Sequence, residues 1–308
     1  MKEPTSRRAF LAGTACATAA TVAGCNGPLG GRSPEAAARR WIYAPANHET
    51  GELAFLDVSY RSPSSLHADA AHLHPSVRPE DVDRVLDGEL VEGDVAVDLE
   101  PAALDHSLRV GNPYADVPKL LVNAGRFDQE TAHRLAALQA FPSTLPGSSY
   151  GTAGNFDLVT YSRSNHGAVR EGEAASIYAR RESRARTLVE NATSRSSYSS
   201  DLPDDVREFL RTVGFDDATE IRFTGRRSDE YGGEAFSYAV SGDTTTARWV
   251  SLRDRDAELM RSQAEDVDAL RDVQITTDGD IVAVSGTVDT DRVGLDGRLF
   301  QRGRAPFE

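Results

Sequence analysis

The only two cysteines, Cys16 and Cys25, both fall within the first 25 residues of a 308-residue chain. Nothing downstream can form a disulfide or a Cys-x-x-Cys metal site. A body without covalent staples must be held by its own packing and hydrogen bonds, and 308 residues are enough for two cores of ordinary size. With 39% hydrophobic and 27% charged residues, the chain can supply them.

The charges are unbalanced. Asp plus Glu number 48 against 34 Lys plus Arg, a formal net charge of -14, which argues against a nucleic-acid partner. Only Lys2 and Lys119 are lysines, so the other 32 of those 34 cations are arginines. This arginine-for-lysine, carboxylate-rich pattern resembles that of haloarchaeal proteins, although a GC-rich genome alone would also deplete lysine. Short carboxylates keep a protein hydrated in molar salt, where the Debye length falls to about 3 Å and self-repulsion is screened.

The N-terminus carries the most specific motif. Ser6-Arg7-Arg8-Ala9-Phe10-Leu11 places adjacent arginines before apolar residues and leads into residues 12–23, rich in Ala, Gly and Thr. That stretch falls short of the roughly 20 apolar residues a lasting transmembrane helix needs. It reads as a twin-arginine signal peptide, with Arg7, Arg8 and Phe10 as its signal residues, and implies the twin-arginine translocase as a partner during export. The stretch ends in Val22-Ala23-Gly24-Cys25, which resembles the lipobox of bacterial and haloarchaeal lipoproteins. The resemblance covers only the first 25 residues. It implies cleavage before Cys25 and a lipid on its thiol, placing the mature chain on the outer face of the cell membrane. Loss of residues 1–24 removes three cations and one anion and leaves a net charge of -16. Residues 25–34 are then the lipidated cysteine and a Gly- and Pro-containing tether.

The remainder alternates strand and helix patterns without the regular repeat of a parallel sheet. The expected fold class is α+β, two mixed halves with mainly antiparallel sheets. Helices are expected at 35–41, 79–86, 101–110, 129–140, 204–213 and 254–270, with the last part of 174–192 also helical. Asp128 is the expected cap of the fourth, Asp201 or Asp204 that of the fifth, and Gly214 the stop of the fifth. Strands are expected at 53–60, 94–99, 119–123, 156–161, 220–224, 235–240, 246–252, 273–277 and 281–285. The Pro-, Ser- and Gly-rich run at 141–154 sets a domain boundary near Pro146, giving domains at 35–146 and 147–308, the second with a loose tail from residue 294. Residues 55–60 resemble 156–161, and residues 121–128 resemble 282–289, in the same order. An internal duplication and chance strand similarity account for this equally well.

Chemistry-bearing motifs are sparse. His67, His72 and His74, with Asp69 among them, form the one imidazole cluster and are the candidate zinc or copper ligands, against a solvated loop. Asn191-Ala192-Thr193 is a glycosylation sequon. Arg180, Arg181, Arg184 and Arg186 make a local positive run best read as paired surface arginines. No nucleophile elbow between strand and helix, zincin helix, phosphate loop or dinucleotide fingerprint occurs, so no catalytic residue and no cofactor is assigned. The expected role is a non-enzymatic binding or interaction module held to membrane lipid through Cys25, with a surface or membrane protein or a small ligand as partner. The alternatives are a substrate-binding lipoprotein of a transport system and a surface hydrolase with a scattered site.

Overall fold

The computed structural model describes residues 34–43, 55–77, 99–111, 120–137, 147–194, 202–225, 231–253, 255–295 and 297–300. The fold is α+β, built on one antiparallel sheet. Its strands are β1 (Phe55–Arg61), β2 (Leu104–Gly111), β3 (Leu120–Gly125), β4 (Ser148–Ala153), β5 (Phe156–Ser162), β6 (Asn165–Arg170), β7 (Glu173–Tyr178), β8 (Ala218–Gly225), β9 (Tyr231–Ser241), β10 (Thr244–Leu252), β11 (Arg271–Asp278) and β12 (Ile281–Asp289). They lie side by side in the order β11-β12-β10-β9-β8-β1-β2-β3-β7-β6-β5-β4. The described helices are α1 (Pro34–Arg39), α2 (Pro63–Ala68), α3 (Gln129–Ala137), α4 (Glu182–Ser194), α5 (Asp204–Val213) and α6 (Ala257–Glu265).

Side chains alternate across a strand, so each strand feeds two cores. On the first face, Val58, Tyr60, Leu108, Val110, Val122, Leu158, Ile177, Ile221, Val250 and Leu252 form one buried cluster with residues of α1, α4 and α5. Helix α5 shows why: Val206, Phe209, Leu210 and Val213 recur at helical spacing and are all buried, while Asp204 and Glu208 face water. Each such side chain contributes about 1.5–3 kcal/mol by leaving water. The helix ends at Gly214, whose φ of 72° suits a residue without Cβ. Its cap position is Pro203 with no side-chain bond, and Asp204 and Asp205 lie inside the first turn, so the capping expected of Asp204 is corrected.

The second face is covered at both flanks. Helix α3 packs over β6 and β7 and shares a cluster with Leu104, Val159, Tyr161, Val169 and Ala174. Helix α6 packs over β11 and β12, and Met260 and Ala264 join Tyr238, Trp249, Val282 and Val284. Leu66 of α2 belongs to that second cluster, and so do Leu295, Leu299 and Phe300. Leu295, Leu299 and Phe300 are therefore buried where a loose tail was expected, while the rest of that tail from residue 301 lies outside the described residues. Phe300 stacks with Phe236 and tilts against Trp249 at 6.0 and 5.5 Å between ring centres.

Further departures from expectation have identifiable causes. Residues 104–111 are strand, not helix: Asp105 is an extra residue where the register slips between Leu104 and His106, and this bulge hides the alternation. Close packing there also demands Gly125, because a Cβ would stand 2.1 Å from the Ala103 carbonyl oxygen. Strand β4 arises in the stretch read as linker, and β6 lies where no element was expected. After the Pro146 linker the chain returns through β4, β5 and β6 until β7 pairs with β3, and it passes to the other half of the sheet only between β7 and β8. The expected helix at 79–86 and most of the expected strand at 94–99 lie outside the described residues.

The two likenesses that suggested duplication do not occupy equivalent places. Strand β1 is central and β5 is next to an edge; β3 leads into α3, whereas β12 leads into a 3-10 turn. A different repetition is present. Helix α1 precedes β1, β2, β3 and then α3, with α2 inserted between β1 and β2; α5 precedes β8, β9, β10 and then α6 with no helix inserted. Strands β1 and β8 lie antiparallel at the centre, and both series run outward from them.

Candidate functional site

Between its two covered flanks, the second face changes character. The strands that deliver Val58, Tyr60, Leu108, Val110 and Ile221 to the first core present Asp57, Ser59, Arg61, Ser107, Arg109 and Arg222 on the other side. Register fixes their neighbours: Asp57 stands opposite Arg222, Ser59 opposite Arg109, and Arg61 opposite Ser107, which in turn faces Asn123. Directly opposed side chains on one face start about 5 Å apart. Arg109 and Arg222 are exposed, Asp57, Ser59 and Arg61 half-buried, and Ser107 and Asn123 buried. Arg61 is held in place by donating to the carbonyl oxygens of Tyr60 and Leu295, at 2.9 and 3.3 Å. Three arginines thus lie on one face of three adjacent strands, with Asp57 opposite Arg222 and Glu220 at the register position opposite Ser59. A guanidinium can meet a carboxylate, sulfate or phosphate through a planar pair of donors, although both Nη groups of Arg61 already face backbone carbonyls.

A second polar assembly is buried against the first face. The fully buried Glu173 carboxylate accepts from Arg40 Nη2 at 2.5 Å on each oxygen, from Trp41 Nε1 at 2.7 Å, and from Arg170 Nε and Nη2 at 3.0 and 2.5 Å. Burial pushes this carboxyl up, but the two guanidiniums together outweigh it and hold Glu173 below the ordinary value. Close by, His106 is fully buried and stacks on Tyr60 with ring centres 6.0 Å apart. Burial lowers its imidazole to about 4 against the pull of Glu173.

A hydroxyl, an imidazole and a carboxylate also meet beneath α4, in an order that disfavours nucleophilic catalysis. Thr160 Oγ1 donates to Glu182 at 3.1 Å and lies 3.3 Å from His166 Nδ1, while His166 Nε2 sits 3.1 Å from the Ala179 carbonyl oxygen. A catalytic triad places the carboxylate behind the imidazole and leaves the imidazole to take the hydroxyl proton. Here the carboxylate takes the hydroxyl, and the far ring nitrogen is spent on backbone, so the group locks β5, β6 and α4 together.

The residues singled out from sequence fare differently. Arg7, Arg8, Phe10 and Cys25 lie outside the described residues. His67, His72 and His74 do not converge: His67 is exposed near the end of α2, and His72 Nδ1 is 2.6 Å from Asp243 Oδ1. No group of three or more His, Cys, Asp or Glu able to hold a metal occurs among the described residues, which corrects the ligand set expected of these histidines. Asn191 is half-buried in the last turn of α4, with its carbonyl accepting from Ser194 Oγ. Of the arginine run, Arg186 donates to the Tyr150 and Thr152 carbonyls at 3.2 and 2.6 Å and so blunts the β4 edge. Neither the arginine-lined strip nor the Glu173 cluster was singled out in the sequence, and only the alternation of apolar with charged residues along 55–61 hinted at the strip.

No family model matches the chain, and no curated protein matches it. Among solved structures, crystal form IV of TP0453 aligns over 77% of this chain and 90% of that one at 10% identity, and crystal form I over 82% and 93% at 7%. The TM-score is 0.38 in both cases. Likeness that loose carries nothing about function.

Proposed function

We propose that this chain is a lipoprotein of the outer membrane face, anchored through Cys25, whose folded part is a non-enzymatic binding module for an anionic partner. The observation that carries the binding reading is the strip of Arg61, Arg109 and Arg222 at the centre of the sheet, between flanks that α3 and α6 cover. A sheet face meant only for burial would continue the apolar pattern across its middle strands. In molar salt, long-range attraction is screened within about 3 Å, so recognition would rest on direct bidentate contact.

The anchor follows from the sequence. No helix among the described residues is long and apolar enough to cross a membrane. Nine residue steps separate Cys25 from Pro34, the first residue of α1, and cannot span more than about 30 Å. A lipid on Cys25 would therefore keep the fold beside the membrane. The seven-residue ladder between β1 and β8 ties the halves together, which supports a fixed surface over the hinged capture of a two-lobed transport protein.

The test is to purify the mature protein from its own membranes at native salt and compare it with the Arg109→Ser, Arg222→Ser double variant by native mass spectrometry. An anionic species present on the first and missing from the second, with thermal stability unchanged, is expected. A wild-type protein that carries no such species, or a variant that keeps it, would overturn the binding reading. Cys25→Ser should release the protein from the membrane fraction, and its retention there would overturn the anchor.

A further inference from the structure

Three fully buried polar atoms near Glu173 have no hydrogen-bond partner: both ring nitrogens of His106 and Nε of Arg40. Strand register brings their side chains to one place. His106 pairs with Ala124, Ala124 with Glu173, and Glu173 with Arg170, so these four residues form a row across β2, β3, β7 and β6 on the first face. With neighbouring strands about 4.8 Å apart, the backbones of His106 and Glu173 are about 10 Å apart, with the small side chain of Ala124 between them in the row. Arg40 comes down on this row from the chain just after α1 and is pinned by Nη2 on both Glu173 oxygens. A planar guanidinium fixed at Nη2 has its Nε–H fixed nearby.

The charges do not balance. Two guanidiniums share one carboxylate in a place where Arg40 is 7% exposed and Glu173 is fully buried, while the Arg170 side chain keeps 19% of its surface exposed. Among the described residues one positive charge is left without a counter-ion and largely out of water, and withdrawing an uncompensated charge from water is costly. A water molecule would satisfy the polar atoms and leave the charge.

We propose that the position over Ala124, between His106 and Arg40, is a binding site for a single halide ion, which accepts from Arg40 Nε–H and from one ring N–H of His106. The excess among the described residues is one charge, which suits a monovalent guest. Two donors among apolar neighbours such as Tyr60 and Trp41 suit a monatomic anion, whereas an oxyanion would bring three or four oxygens and leave most of them unpaired. Chloride is the member of the class a salt-rich setting supplies. The neutral imidazole expected at ordinary pH still has one N–H to give, and a bound anion would favour its protonated form.

The experiment uses the full chain with bromide as probe. Anomalous diffraction from crystals grown in sodium bromide should show a peak over Ala124 within contact distance of Arg40 Nε and His106. In solution, thermal melts at matched ionic strength should rise saturably with bromide or chloride and not with glutamate. His106→Phe keeps the ring and removes the donor, and should weaken that halide response by about tenfold or more. A water, or a direct Arg40–His106 hydrogen bond, at that position would overturn the proposal. So would a halide response undiminished in His106→Phe. The anomalous map is read on the unaltered protein, so the test stands even if the variant folds poorly.

Discussion

An imidazole held neutral inside a fold makes that fold sensitive to acid, and His106 is such a group. Its value is lowered to about 4 from 6.5, chiefly by burial. The unfolded chain therefore takes up a proton first as the pH falls. Stability is fully present above about 6.5, declines down to about 4, and no longer changes on this account below that. A separation of some 2.5 units corresponds to about 3 kcal/mol. His166 is also held down by burial and adds to the decline as the pH falls below the ordinary imidazole range, so wild type alone cannot isolate His106. The decisive comparison is with His106→Phe. In halide-free buffer, denaturant unfolding should show the variant at least as stable at pH 7, since an apolar ring replaces two unpartnered nitrogens. Near pH 4.5 it should be more stable than wild type by about 2–3 kcal/mol. Parallel pH profiles for the two proteins would remove His106 from this role. Glu173 acts in a lower window: its depressed carboxyl contributes stability above the ordinary carboxylate range and loses it as the pH falls through the folded value.

At the scale of elements, local signals served where one rule governed a segment. The periodicity and Gly214 marked α5, the alternation marked β5 and β12, and Asp128 capped α3, its Oδ1 accepting from the Thr131 amide at 2.8 Å. They failed where a second rule intervened. The bulge at Asp105 broke the alternation of β2, and Pro101 then looked like the start of a helix. Strands β4 and β6 are polar or glycine-rich and are strands because hairpin neighbours pair with them. Helix α6 shows both sides. It was expected at 254–270 and occupies Ala257–Glu265, because Asp256 starts it: this N-cap side chain accepts from the Leu259 amide at 2.8 Å. Asp256→Ala should lower stability by about 1 kcal/mol and Asp256→Asn by a few tenths at most, in denaturant titration at constant salt. Equal losses from the two would show that charge rather than capping is what Asp256 supplies.

At the scale of the whole molecule, the site was illegible for the reason that made the fold hard to divide: the contacts that matter are distant in sequence. Asp57 and Arg222 face each other although 165 residues (222 - 57) separate them, and Arg40 reaches Glu173 across 133. Composition and periodicity describe neighbours along the chain and are silent about such meetings. The same topology bears on where the protein could be cut. A fragment of residues 35–146 would contain β1, β2 and β3 with α1, α2 and α3. It would lack β8, which pairs with one side of β1, and β7, which pairs with the far side of β3. Helix α3 would also lose β6 and β7, the strands it packs over. Three strands with both edges bare and an uncovered helix leave too little burial to offset chain entropy. The fragment should show no cooperative unfolding transition by circular dichroism at native salt, while residues 25–308 unfold cooperatively. A cooperative transition from the isolated fragment would instead mean that the β1–β8 seam joins two bodies that each fold alone. The arginine strip spans that seam, so its geometry would then depend on how the two dock.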